Sequence, residues 1–198
     1  MEKSYKKFII GAMKNVILMG IKHCGKTTQG RLLSAHYGCD FFDTDDLVVE
    51  MTGMTPREIY SDFGKEAFLK AESDACNVIA GRQGFFVVST GGGICMNDKA
   101  VGYLRGVGTF VFLDSDETVA CDRIIKEIKI LPDGKMEGMP AYIARENPST
   151  IDEVRRSFHS FYEERQAIYS SICDVTVKML PLSKMENMAR IIERIESL

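Results

Sequence analysis

The sequence lacks any apolar run long enough for a signal peptide or a membrane span. The N-terminal stretch MEKSYKKFIIGAMKN has a short apolar patch that Lys14 breaks, so it reads as a lead-in to the first strand. An excess of one charge is missing too. Net charge is −3, with 25 basic and 28 acidic residues, and no basic block suggests wrapping a nucleic-acid backbone. Six cysteines occur (Cys24, Cys39, Cys76, Cys95, Cys121 and Cys173), yet no two stand close enough for a zinc-ligand pair. They read as reduced thiols of a cytoplasmic protein. Internal repeats, low-complexity linkers and the Asn-Lys-x-Asp motif of guanine-nucleotide proteins are all missing. At 198 residues the chain suits one globular domain.

What is present alternates between apolar runs and helical patterns. Strands are expected at Asn15–Met19, near Phe42, at Phe85–Ser89, at Thr109–Leu113 and at Asp174–Met179. Helices between them imply a parallel sheet covered on both faces. Capping boxes are expected at Thr55/Glu58 (with Pro56 opening the helix), Thr150/Glu153 and Ser183/Glu186. Of only five prolines, three fall within 129–150, beside the turn Leu131-Pro132-Asp133-Gly134. This polar excursion reads as a mobile lid. On the helix that follows, Val154, Phe158, Phe161 and Ile168 form an apolar stripe, and Arg165 falls within it. An arginine there either snorkels to the edge or points into a site.

Three motifs carry chemistry. Gly20-x-x-x-x-Gly25-Lys26-Thr27 follows a strand and opens a helix, the setting of a phosphate loop. Gly20 and Gly25 let backbone N–H groups converge on phosphate oxygens. Lys26 supplies the cation for the β- and γ-phosphates, and the Thr27 hydroxyl ligates Mg²⁺. Cys24 reads as a small residue filling a loop position, and Thr28 as the next helix residue beside the nucleotide. The second motif, FFDTDD, sets Asp43 and Asp45 on one side of an extended segment, roughly 6.5–7 Å apart, with Asp46 pointing away. One carboxylate is expected on the metal and the other on an acceptor hydroxyl. The third motif is Gly91-Gly92-Gly93, directly after a strand, where a ligand can approach the backbone closely. That strand ends in Ser89-Thr90 and so lacks the usual metal-binding acid, which shifts the metal toward Thr27 and Asp43.

In this order, the phosphate loop, "DTD", Thr52-Gly53, the Phe68-to-Glu72 segment, "GGG", "VFL" with Arg123, and Arg165-x-x-Ile-Tyr169 together resemble shikimate kinases. The resemblance runs from Asn15 to the C-terminus. It implies a three-layer α/β/α P-loop kinase with a five-stranded parallel sheet and a lid at about 129–150. It also implies ATP and Mg²⁺ as cofactors and transfer of the γ-phosphate to the 3-hydroxyl of shikimate. On this resemblance Lys26 and Asp45 are catalytic, and Asp43 is an outer-sphere metal ligand. Gly91, Gly92 and Gly93 line the acceptor site, Arg123 stacks near adenine, and Arg165 binds the acceptor carboxylate. The chain departs from the family pattern at Leu69 and at Met139-Pro140-Ala141-Tyr142, where arginines are expected. Lys70, Arg57, Arg145, Arg155 and Arg156 are the cations considered as substitutes. The alternatives are a kinase of another hydroxylated metabolite, a nucleotide-hydrolysing switch, and a non-catalytic relative. Expected partners are one small-molecule acceptor, with no nucleic acid or membrane, acting on a monomer.

Overall fold

The computed structural model describes residues 14–132 and 134–198. The N-terminal lead-in, residues 1–13, and Asp133 of the expected turn lie outside the described residues.

Five parallel strands form the main sheet in the order β2-β3-β1-β4-β7. They are β1 (Asn15–Met19), β2 (Asp40–Asp43), β3 (Phe86–Ser89), β4 (Gly108–Ser115) and β7 (Val175–Met179). The central β1 pairs Ile17 with Val88 on one side and with Phe110 on the other. Val16 to Met19 and Phe110 to Leu113 are almost wholly buried. Strands covered on both faces read as continuous apolar runs rather than as alternation, which is how these segments appear in the sequence.

Helices α1 (Lys26–Tyr37) and α8 (Lys184–Glu196) pack together on one face. Helices α4 (Asp98–Arg105), α5 (Glu117–Ile125) and α7 (Ile151–Ile172) belong to the other, giving three layers. Helices α2 (Thr44–Thr52) and α3 (Pro56–Ala80) pack against each other around Val48, Ile59 and Ala75, a small satellite core. Helix α3 is kinked at Gly64, whose φ of 85° and ψ of −179° are not helical. Two of the three expected capping boxes form, at Thr55/Glu58 and at Ser183/Glu186.

The box at Thr150 is only half made. Thr150 accepts from the Glu153 N–H, but the Glu153 carboxylate turns to Ser149, taking its N–H at 2.7 Å and its hydroxyl at 2.8 Å. Segment 129–150 is more ordered than an unstructured excursion. It holds an antiparallel hairpin, β5 (Lys129–Ile130) with β6 (Met136–Glu137), and a short helix α6 (Ala141–Ala144). Met139 and Ile143 anchor it, being buried in the main core. No helix among the described residues is long and apolar enough to cross a membrane.

Candidate active site

A cleft of about 1520 Å³ opens at the carboxyl ends of the strands, where ligands sit in open α/β sheets. Its floor is the phosphate loop between β1 and α1. Gly25 caps α1 with a φ of 105°, a left-handed conformation that side-chain-bearing residues rarely take. It leaves the unpaired N–H groups of the first helical turn facing the cleft. Lys26, 7% exposed, lies across the loop. Its ammonium donates to the Gly20 carbonyl at 2.8 Å and the Ile21 carbonyl at 2.9 Å, with Cys24 Sγ at 3.8 Å. Cys24 is buried and fills the loop. Thr28 stands exposed on α1 and borders the cleft.

The phosphate loop and helix α2 meet at Asp43. Its Oδ2 accepts from the Thr27 hydroxyl at 2.9 Å, and its Oδ1 accepts from the Asp45 N–H at 3.1 Å. Asp43 therefore ends β2, caps α2 and holds the phosphate-loop threonine at once. The expected extended geometry is corrected here. The strand stops at Asp43, and Asp45 occupies the first turn of α2. The strong tendency of aspartate to cap a helix overrode the period-two reading. Ser89 stands 3.3 Å from the Thr27 hydroxyl, where other phosphate-loop proteins place an acid. Asp45 is exposed and borders the cleft. Desolvation there and the neighbouring Asp43 charge raise its pKa to about 6, against the pull of Lys26.

The glycine turn closes over these carboxylates. The Gly91 N–H donates to the Thr44 hydroxyl at 2.8 Å. A β-carbon at Gly91 would stand 2.8 Å from Asp45 Oδ1 and 3.0 Å from Glu72 Oε1, so any side chain there obliges a carboxylate to move. Glu72 is 1% exposed; its Oε2 accepts from the Asn97 amide at 2.8 Å, and its Oε1 has no partner. Burial, opposed by the Asn97 hydrogen bond, raises its pKa to about 7. The sequence pattern contained Glu72 but assigned it no place at the turn. Tyr169 was likewise only a letter in a motif. Its buried hydroxyl lies 3.1 Å from the Gly20 carbonyl and 3.0 Å from the Gly92 carbonyl.

Arg165 points into the cleft rather than snorkelling. Its Nη1 donates to the Gly92 carbonyl, and the guanidinium carbon lies 3.6 Å from the Phe161 ring centre. Leu69 borders the same cleft, as do Arg57, Lys65 and Arg145. Three of the cations considered as substitutes are engaged elsewhere: Lys70 with Asp74, Arg155 with Asp122 and Arg156 with Glu153. Arg123 borders the far end of the cleft and donates to the His23 carbonyl in the loop. Burial lowers the pKa of His23, opposed by Glu127 at 3.4 Å.

A phosphate loop at the carboxyl edge of a five-stranded parallel sheet defines the class of P-loop nucleotide-binding proteins. A family model described as shikimate kinase matches residues 22–196. The chain belongs to the shikimate kinase family. A shikimate kinase of Thermoanaerobacter pseudethanolicus is 30% identical over 166 residues, 83% of this chain and 90% of that one. One from Thermodesulfovibrio yellowstonii is 34% identical over 112 residues, 57% of this chain. In that relative the matched stretch spans 64% of its length, just under two thirds. The solved shikimate kinase of Acinetobacter baumannii in complex with shikimate superposes with a TM-score of 0.76 at 21% identity, covering 95% of each chain.

Proposed function

We propose that the protein transfers the γ-phosphate of ATP to a hydroxyl of shikimate. The observation that carries this reading is the double use of Asp43, which ties the phosphate loop at Thr27 to the helix turn bearing Asp45. In the reaction the Asp45 carboxylate accepts the hydroxyl proton. The acceptor oxygen bonds to the γ-phosphorus, the bond from that phosphorus to the β-phosphate oxygen breaks, and ADP leaves. Lys26 balances charge on the β- and γ-phosphates, and the N–H groups opening α1 cradle them. The Thr27 and Asp43 oxygens, 2.9 Å apart, suit a hard, oxygen-seeking cation. They would hold Mg²⁺, with Asp43 acting through water, and that ion supplies electrostatic neutralisation of the phosphates. Gly92 and Gly93 border the acceptor, Arg165 holds its carboxylate, and Arg123 lies beside adenine. Segment 129–150 serves as the lid. The protein is taken to act as a cytoplasmic monomer, which size-exclusion chromatography and cell fractionation test.

A second reading keeps the chemistry and changes the acceptor. Leu69 in the cleft wall favours it, because a carboxylate there has one arginine fewer to meet. A hydrogen bond to a charged group contributes about 1.5–3 kcal/mol. A coupled ADP-release assay decides. Turnover that appears only with shikimate supports the first reading. Turnover with other hydroxylated acids and none with shikimate supports the second. Acceptor-independent hydrolysis at the same rate would refute both. Arg165→Ala is expected to raise KM for a carboxylated acceptor at least tenfold more than KM for ATP, as losing such a bond requires.

A further inference from the structure

Helix α6 brings an aromatic ring to the cleft, three residues after Met139, the position before Pro140 at which the family pattern expects an arginine. Met139 and Ile143 are buried on either side of it and fix the helix to the core. Tyr142, between them, borders the cleft and stacks on Phe161, with ring centres 3.7 Å apart and planes 7° apart. The Arg165 guanidinium carbon lies 3.6 Å from the Phe161 ring centre and 5.4 Å from that of Tyr142.

The guanidinium is thus restrained on several sides. Its Nη1 edge is tied to the Gly92 carbonyl, and its Nε is buried with no hydrogen-bond partner. Its Nη2 lies beside Gly93, 3.6 Å from where a β-carbon would stand. An arginine held with one donor unsatisfied needs something other than hydrogen bonds to keep it there. Aromatic faces do this, and their attraction for a cation grows as water is excluded. With Leu69 offering no charge, the orientation of Arg165 matters more than it would in a two-arginine site.

We propose that Tyr142 is a positioning residue for the acceptor. Through its stack on Phe161 it holds the Arg165 guanidinium so that Nη2 faces an acceptor carboxylate beside Gly93. This rests on the kinase reading above. The segment that carries Tyr142 therefore contributes to acceptor affinity with a ring in place of a charge.

The test compares wild type with Tyr142→Ala, Tyr142→Leu and Tyr142→Phe in the coupled assay. Tyr142→Ala is expected to raise acceptor KM roughly three- to thirtyfold, the span of a cation–π contact. KM for ATP and kcat should change less than twofold. Tyr142→Phe should restore acceptor KM, because the stack needs the ring and not the hydroxyl, while Tyr142→Leu should not. In an Arg165→Ala background Tyr142→Ala should add nothing. An unchanged acceptor KM, an equal rise for ATP, or failure of phenylalanine to rescue would overturn the proposal. If wild type fails to use shikimate, the kinase assignment falls separately. The clamp is then read without turnover, from the rate at which phenylglyoxal modifies Arg165, followed by mass spectrometry. Faster modification in Tyr142→Ala than in wild type and Tyr142→Phe supports the clamp, and equal rates refute it.

Discussion

Gly91→Ala separates catalytic geometry from stability. The new methyl carbon would stand 2.8 Å from Asp45 Oδ1 and 3.0 Å from Glu72 Oε1. Ordinary carbon–oxygen contacts begin near 3.3 Å, so one or both carboxylates must retreat by about half an ångström. Asp45 faces the open cleft and can turn away cheaply, whereas Glu72 is enclosed and hydrogen-bonded to Asn97. The retreat therefore falls mainly on Asp45, the proposed base. A misplacement of about 1 Å can cost a hundredfold, so half that distance predicts roughly a ten- to hundredfold loss of kcat. Folding should change little. Alanine stabilises through the unfolded chain by about 0.4–1 kcal/mol, which offsets much of the crowding, so Tm should stay within about 4 °C. Gly102→Ala, in α4 with nothing within 4 Å of the added carbon, is the control, expected to keep full kcat and to raise Tm by a few degrees. Full activity in Gly91→Ala would refute the argument that Asp45 needs its present position.

Asp45 titrates at about 6, and only its ionised form accepts a proton. We therefore expect kcat/KM to fall about tenfold per unit below pH 6; a profile flat to pH 5 would remove Asp45 as the base. Asp45→Asn and Lys26→Ala should each reduce turnover by at least a hundredfold, read in the same ADP-release assay. Glu72, raised from 4.5 to about 7, keeps its proton when folded and loses it when unfolded across that window. Its contribution to stability is present below pH 4.5 and lost as pH rises through 7, by about 3 kcal/mol at most. Glu72→Gln should remove that loss, so the Tm of the variant minus that of wild type should grow between pH 5 and 8. A constant difference would contradict the burial argument.

The fold was legible because its signals are local. Buried parallel strands produce apolar runs, and Thr55 and Ser183 with their partner glutamates announce helix starts. Asn15–Met19 emerges with the expected bounds, while the other strands shift by one or two residues. The site was legible where motif and local geometry coincide, as at Gly25, Lys26 and Thr27. It was less so at Asp45, where alternation and capping compete and the cap wins. Arg165 sits on an apolar stripe, and only the rings and the glycine turn around it show that it faces the cleft. Tyr142 was out of reach, since its partners Phe161 and Arg165 lie about twenty residues on and meet it only through tertiary packing.

Tyr169 sets one further condition. Its hydroxyl reaches both the Gly20 carbonyl of the phosphate loop and the Gly92 carbonyl of the glycine turn, and its ring is stacked on Phe112 in the core. A single buried hydroxyl thus sets the spacing between the phosphate loop and the glycine turn. Leu69 and segment 129–150 can change while that span stays as it is.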